Sequence, residues 1–576
     1  MGFIFKKLVP VEEAQKILLD NIYTCKKTEI TPIDDALYRV SAENIFSEID
    51  IPCFDRSIMD GYALRYIDIA NASETSPIVL DLIGYVKIGT MPDQTVKKGT
   101  AIRVDTGSVI PIGADAVVPL EYCHEENKKI IVFRSIEKGA NIQWTGGDIM
   151  KGELILQEGT IINTRHIGAL SASGYTKILV RPKPRVAIFS IGDELVNVGE
   201  ALEEGKIYDI NIHTIASLIK SCGGDPIILG ISPDSMEGIM NKLTEGLKMA
   251  DFVVSTGGSS VGQFDFIRTV VENIGGKILF HGVMSKPGKP VLATKIGDKL
   301  YIGLPGNPTS AIISFILYVR PVIYKFLGCR VDYVSDLTIR LAKPEYGFKG
   351  RRLYKTVVLR RRGNKLYYES LKPSSESIST LLKADGYFII PENVEFLQEN
   401  TLAEVYLFNY PPQITDILVV GEFSPTILYA IIDVANALEL KIKYVRKSSS
   451  GAIMSIQKQS ADIAITTEPL KDSIELQREL VLISRRDDIV RVASVYNVCN
   501  QNYEIQKVGT HQSSMFRLIH GFVDGAILPL EIAKIYDIKR FKTQKMGTEK
   551  IYVYVCDYIN YRDKIIEVIK TLNIPF

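Results

Sequence analysis

DFVVSTGGSSVGQFDF, residues 251–266, is the stretch on which the fold turns. Its first six residues read as a short buried strand, and a helix is expected from about Phe264. Between them lie Gly257, Gly258, Ser259, Ser260 and Gly262. Glycines there leave backbone N–H groups free to hold an anion. Close packing of a helix on a strand uses glycine in the same place, so the loop alone leaves both readings open.

The same rhythm extends on both sides. VAIFSI (186–191) is a buried strand, and NIHTIASLIKSC (211–222) is an amphipathic helix closed by Gly223 and Gly224. PIILGI is a strand, a helix covers roughly Ser235 to Met249, and PVLATKI and KLYIGL are strands ahead of a helix at Pro308. Strands alternating with helices of this length imply a mostly parallel sheet covered on both faces. Ligands of such sheets sit beyond the C-terminal strand ends, where the Gly-rich loops fall. AIISFILYVRPVIYKFLG (311–328) is interrupted by Arg320, Pro321 and Lys325 and reads as a core helix, not a membrane span.

Other loops carry candidate chemistry. SIGDEL (190–195) sets Asp193 and Glu194 after a strand, either as helix N-terminal residues or as ligands of a hard cation. HGVMSKPGKP (281–290) presents Lys286 and Lys289 on a turn stiffened by prolines, as solvated surface or as charges for phosphate or another oxyanion. IGLPGNPTSA (302–311) aims a helix N-terminus at the same edge. IPCFDRSIMDGYAL (51–64) and RVDTGSVIPIGADAVV (103–118) are turns in a β-rich stretch and say little alone.

Composition sets the frame. The 576 residues are a prior for about four domains. Lys plus Arg (68) nearly balances Asp plus Glu (67), so any anion site must be a local construction. Seven cysteines without a C-x-x-C pair argue against a disulfide framework or zinc ribbon and suit a reducing cytoplasm. MGFIFKKLVPVEEAQ is too short in apolar run for a signal peptide, so a soluble, cytoplasmic protein is expected. No excess charge or membrane span points to nucleic acid or lipid.

The ordered set PCFDRSIMDGYA, DTGSVIPIGADAVV, SIGDEL, GGSSVGQFD, KPGKP and GLPGNPTSA resembles the MoeA family of molybdopterin molybdenumtransferases, related to the C-terminal region of gephyrin. The resemblance spans about residues 1–410. It implies a multidomain α/β and β architecture. Residues 1–49 and 145–182 would form a helical and extended linker domain in two pieces, and 50–144 a β insertion. Residues 183–328 would form the three-layer molybdopterin-binding α/β domain, and 329–411 a β-barrel. It further implies a homodimer whose site lies between the α/β domain of one protomer and the β insertion of the other. The family reaction takes adenylylated molybdopterin and molybdate or tungstate, inserts the metal and releases AMP, with Mg²⁺ as the expected cation.

Carried over to this chain, the catalytic set is Asp60, Thr106, Glu194, Asp234, Asp265, Lys286 and Lys289, with Glu194, Asp234 and Asp265 as Mg²⁺ ligands. Substrate binding falls to Ser190, Gly192, Asp193, Gly257, Gly258, Ser259, Ser260, Gly262, Pro305, Gly306 and Asn307. Two positions depart from the family pattern. Ile191 stands where a threonine is usual, removing a donor, and Gly282 stands where many members carry a basic residue.

Residues 412–576 lie beyond the core family. GEFSPTI, RKSSSGAIMSIQKQSADIAIT and KVGTHQSSMFRLIHGFVDGAILP resemble periplasmic-binding-protein-type domains. Ser448, Ser449 and Ser450 ahead of a helix would hold an oxyanion or simply cap that helix. Two other functions stay in view: a non-catalytic molybdopterin or oxyanion sensor or scaffold, and the related adenylyltransferase, against which the β insertion and barrel argue.

Overall fold

Val186, Ile188, Phe252 and Val254 face one hydrophobic core, and Ala187, Phe189, Ile191 and Val253 face a second on the other side of the sheet. That alternation is the period-two geometry of strands buried on both faces. The computed structural model describes residues 8–258, 261–329, 335–363, 365–371, 377–408, 413–486, 489–495, 503–508, 510–536 and 538–572, with the side chains of 261–265 outside the description.

The sheet has six strands in the order Asp225–Ser232, Arg185–Ile191, Phe252–Thr256, Lys299–Leu304, Leu292–Ile296, Lys277–His281. The first four run parallel, and Leu292–Ile296 turns back antiparallel through a hairpin. Asn211–Ser221 covers one face, and Met236–Met249 and Val261–Asn273 cover the other. The last of these starts at Val261, three residues before the expected Phe264.

The apolar segment forms one continuous helix, Pro308–Leu327, whose most apolar window is 78% buried within the α/β core. A π-helical stretch at Phe315–Val319 precedes Pro321, which has no N–H to donate to the preceding turn. The helix Val11–Asp20 packs Val11, Ala14 and Leu18 into that same α/β core.

The β insertion is a six-stranded sheet in the order Ala116–Pro119, Gly61–Leu64, Thr100–Val104, Ile78–Val86, Lys129–Val132, Cys123–Glu126. The domain expected as a barrel is instead a half-barrel, with Arg352–Arg362 pairing Gly386–Ile390 and Lys365–Ser370. Its edge takes in Ser285–Lys286, which pairs parallel to Arg352 and Leu353 and sews the lysine turn to the half-barrel.

The C-terminal unit has an eight-stranded mixed sheet. Two long antiparallel strands, Ile474–Ser484 and Lys542–Val555, cross its centre and join two separate cores. Its junction with the half-barrel is itself a core, in which Val358 and Leu371 pack with Leu418, Val420, Val445 and Ile456. Arg360 and Asp462, each 1% exposed, form an ion pair through it.

Candidate functional site

Gly257 and Gly258 adopt φ of +82° and +68°, the left-handed region that glycine tolerates without strain. A β-carbon on Gly257 would lie 2.3 Å from the Ile191 carbonyl oxygen, so the turn passes directly over the neighbouring strand end. Gly306 leans on this turn, and Asn211 Nδ2 donates to the Gly306 carbonyl at 2.5 Å. Ser190 does not face the crevice. It is fully buried, and its hydroxyl shares a 2.9 Å hydrogen bond with Thr256 Oγ1 that pins two parallel strands. Ser259 and Ser260 lie outside the described residues. Gly262 and Asp265 fall in the first turns of the helix that follows, and of the Asp265 side chain nothing is described.

Asp193 and Glu194 are not at a helix N-terminus. The chain passes from them into a two-residue strand, Leu195–Val196, that pairs with Ile207–Tyr208. Asp234 N donates to Asp193 Oδ1 at 3.1 Å, so two strand ends present their carboxylates side by side. Lys206 Nζ donates to the Asp193 carbonyl at 2.5 Å, and the Glu194 carboxylate folds over Gly192, where a β-carbon would meet Oε2 at 2.5 Å. Among the described residues no group of three His, Cys, Asp or Glu side chains is gathered for a metal ion.

Lys286 and Lys289 line a cavity of about 230 Å³ together with Pro305 and Asn307, which links it to the glycine crevice. Its far wall is Arg351, Tyr354, Thr356 and Thr380 of the half-barrel and its neighbouring helix. The Lys286 ammonium and the Arg351 guanidinium sit 3.8 and 4.2 Å from the centre of the Phe348 ring, which supplies a favourable face for both. Burial, then Arg351 and Lys355, push Lys286 below its ordinary value, and burial and Arg351 do the same to Lys289. Like charges crowded in this way are relieved by an anion. Arg351, Tyr354 and Thr356 carried no motif in the sequence; the fold alone brings them to the lysine turn.

Asp60 and Thr106 sit apart from all this, on the exposed face of the β insertion. Asp60 Oδ1 accepts from Thr106 N at 2.6 Å and from its hydroxyl at 2.9 Å, which holds the carboxyl below its ordinary value. Tyr85 donates to the adjacent Asp105.

The departures from the family pattern have local causes. Ile191 is 3% exposed and points into the core with Ile267, away from the crevice. Gly282 has φ +90°, where a long basic side chain would be strained, and its carbonyl accepts from Val9 N at 3.1 Å. In the C-terminal unit Ser448 caps the helix Ser449–Gln457, accepting from Gly451 N, while the buried Ser449 pairs with Thr467 and Ser450 with Ser448.

A sheet crevice bounded by acids, a lysine turn and a half-barrel together define a multidomain protein with its candidate site at the strand ends of an α/β domain. Residues 9–174 match the family described as the MoeA N-terminal region (domain I and II), 187–325 a probable molybdopterin binding domain, and 338–408 the MoeA C-terminal region (domain IV). The molybdopterin molybdenumtransferase of Bacillus subtilis is 32% identical over 407 residues, covering 69% of this chain and 94% of its own. A putative molybdopterin biosynthesis protein of Methanocaldococcus jannaschii is 32% identical over 70% of this chain and 99% of its own. The crystal structure of the molybdopterin biosynthesis moeA protein from Pyrococcus horikoshii OT3 superposes with a TM-score of 0.62 at 33% identity, covering 70% of this chain and all of that one. The chain belongs to the MoeA family of molybdopterin molybdenumtransferases.

Proposed function

We propose that this chain carries out metal insertion in molybdenum cofactor biosynthesis, taking adenylylated molybdopterin and molybdate or tungstate and releasing AMP. The observation that carries the reading is the pairing of a glycine crevice with a separate cationic cavity across one shared loop, Pro305–Asn307. Gly257, Gly258 and Gly306 offer close backbone approach to the pterin and its phosphates. Lys286, Lys289 and Arg351 hold the incoming oxyanion. The reaction needs an oxyanion placed and its charge balanced, which fixed cations accomplish without a proton transfer. Glu194 and Asp234, with Asp265, would hold Mg²⁺, which commonly takes one or two carboxylates and completes its shell with phosphate and water. That ion would screen the phosphate charge.

A homodimer completes the site in this reading. Asp60 and Thr106 are exposed and bonded to each other, which suits presentation to a second protomer's crevice. In this reading the C-terminal unit takes a periplasmic-binding-protein-like fold. Each of its halves has three parallel strands beside one long antiparallel strand: Ile442–Arg446, Ile417–Gly421 and Ile463–Thr466 with Lys542–Val555, and Glu504–Lys507, Arg491–Ser494 and Gly525–Pro529 with Ile474–Ser484.

The test is AMP release from adenylylated molybdopterin with and without molybdate. Oxyanion-dependent release is expected, and Lys286→Ala is expected to lower kcat/KM about 10- to 100-fold, the scale of a lost charged contact. Tight substrate binding with no release under any condition would favour the sensor or scaffold function.

A further inference from the structure

A second cavity, of about 430 Å³, lies where the half-barrel meets the C-terminal unit. Lys343, Lys355 and Lys383 line it from one side, and Arg446 and Lys447 from the other, with no carboxylate in its wall among the described residues. Thr380 belongs to this cavity and to the one around Lys286, so the two adjoin. The Glu369 carboxylate, buried behind the wall, pairs with Lys343 at 3.0 Å and Lys447 at 2.7 Å, and Glu345 pairs with Lys355 at 3.2 Å. Two carboxylates thus face three of the five cations. Lys383 and Arg446 have no ion-pair partner among the described residues. Burial and the Arg446 charge push the Lys383 ammonium below its ordinary value. The N-terminus of the helix Ser449–Gln457, with Ser448 and Gly451 in the wall, adds a further positive end.

We infer that this junction is an anion site separate from the lysine turn, built for a compact dianion of the oxyanion class, free or carried on a small organic molecule. The residues from 445 to 451 belong to the added unit, so the site exists only because that unit is fused to the half-barrel. The cations, rather than the three serine hydroxyls, are its working groups, since those hydroxyls are already spent on the cap and on Thr467. The inference does not rest on the transferase reading, because it concerns binding alone. Adjoining through Thr380, the site is placed to hand an anion to the cavity of Lys286.

The test is equilibrium dialysis of the full-length chain against molybdate, tungstate, phosphate and AMP. It compares the unaltered protein, Lys383→Gln with Arg446→Gln together, and Lys286→Ala. One class of anion sites is expected to weaken at least tenfold in the double variant and to persist in Lys286→Ala. Competition then identifies the source: displacement of molybdate by tungstate and phosphate alone marks a free oxyanion, and by AMP a carried one. Arg446→Lys, which keeps the charge, is expected to restore most of the binding and separates a lost site from a damaged fold. If the double variant leaves all four isotherms unchanged, or if every bound anion disappears with Lys286→Ala, the site does not exist.

Discussion

Ile191 shows how a single position can mislead when it is read in one dimension. Beside a glycine loop its lost hydroxyl looks like a lost donor, yet its side chain packs against Gly258 and Ile267 in the core. Ile191→Thr is therefore expected to cost about 1–3 kcal/mol by burying a hydroxyl among apolar groups, without raising activity. Chemical denaturation beside the AMP-release assay checks both halves, and a gain in turnover would contradict the packing. Ser190 misled in the opposite sense, since its hydroxyl closes on Thr256 rather than facing a ligand. The sequence left Lys286 and Lys289 open as solvated surface or as charges for an anion, and the structure sets both in the wall of one cavity. Arg351 was not legible, because its proximity to the turn arises only when the half-barrel curls against it.

The strands of the α/β sheet were readable because runs such as VAIFSI bury both faces, which few other structures require. The helix Val11–Asp20 is amphipathic, which by itself does not fix its place. Its apolar face fits any core, and only the structure shows it against Pro308–Leu327, with Gln15 Nε2 donating to the Leu317 carbonyl at 3.0 Å. The segment just before it also braces the lysine turn: Val9 N donates to the Gly282 carbonyl, and Met284 N donates to the Val9 carbonyl at 2.9 Å. Leu18→Ala, at a 1% exposed position, is expected to cost about 2–5 kcal/mol. Because that brace depends on the helix, the variant is also expected to raise the KM for molybdate while kcat changes little. Steady-state kinetics at varied molybdate concentration decides it; an unchanged KM would detach the helix from the site.

At the scale of the whole chain, the half-barrel and the C-terminal unit are packed together through a shared core. No local pattern announced this, since Arg360, Glu369 and Asp462 are ordinary charged residues until they are buried together. Burial pushes Glu369 up, but Lys447, Lys343 and the Ser460 hydroxyl outweigh it and hold the carboxyl at about 2, against an ordinary 4.5. A depressed acid contributes stability above its unfolded value that is lost as pH falls through its folded one. The Glu369 contribution is thus full above about 4.5 and disappears towards about 2. Glu369→Gln is expected to flatten the fall of the urea midpoint across that window, and an unaltered slope would show the carboxylate to be uncoupled from folding.

A joint made of core rather than of tether has a historical corollary. Val358, Leu371 and Arg360 would meet water if the last 165 or so residues were cut away, so the half-barrel depends on its appendage to cover this face. Once two genes are joined through such a surface, separating them again exposes a sticky face on each product. The fusion works as a one-way step: the added unit can drift in what it binds, but it can no longer be discarded or exchanged like a cassette.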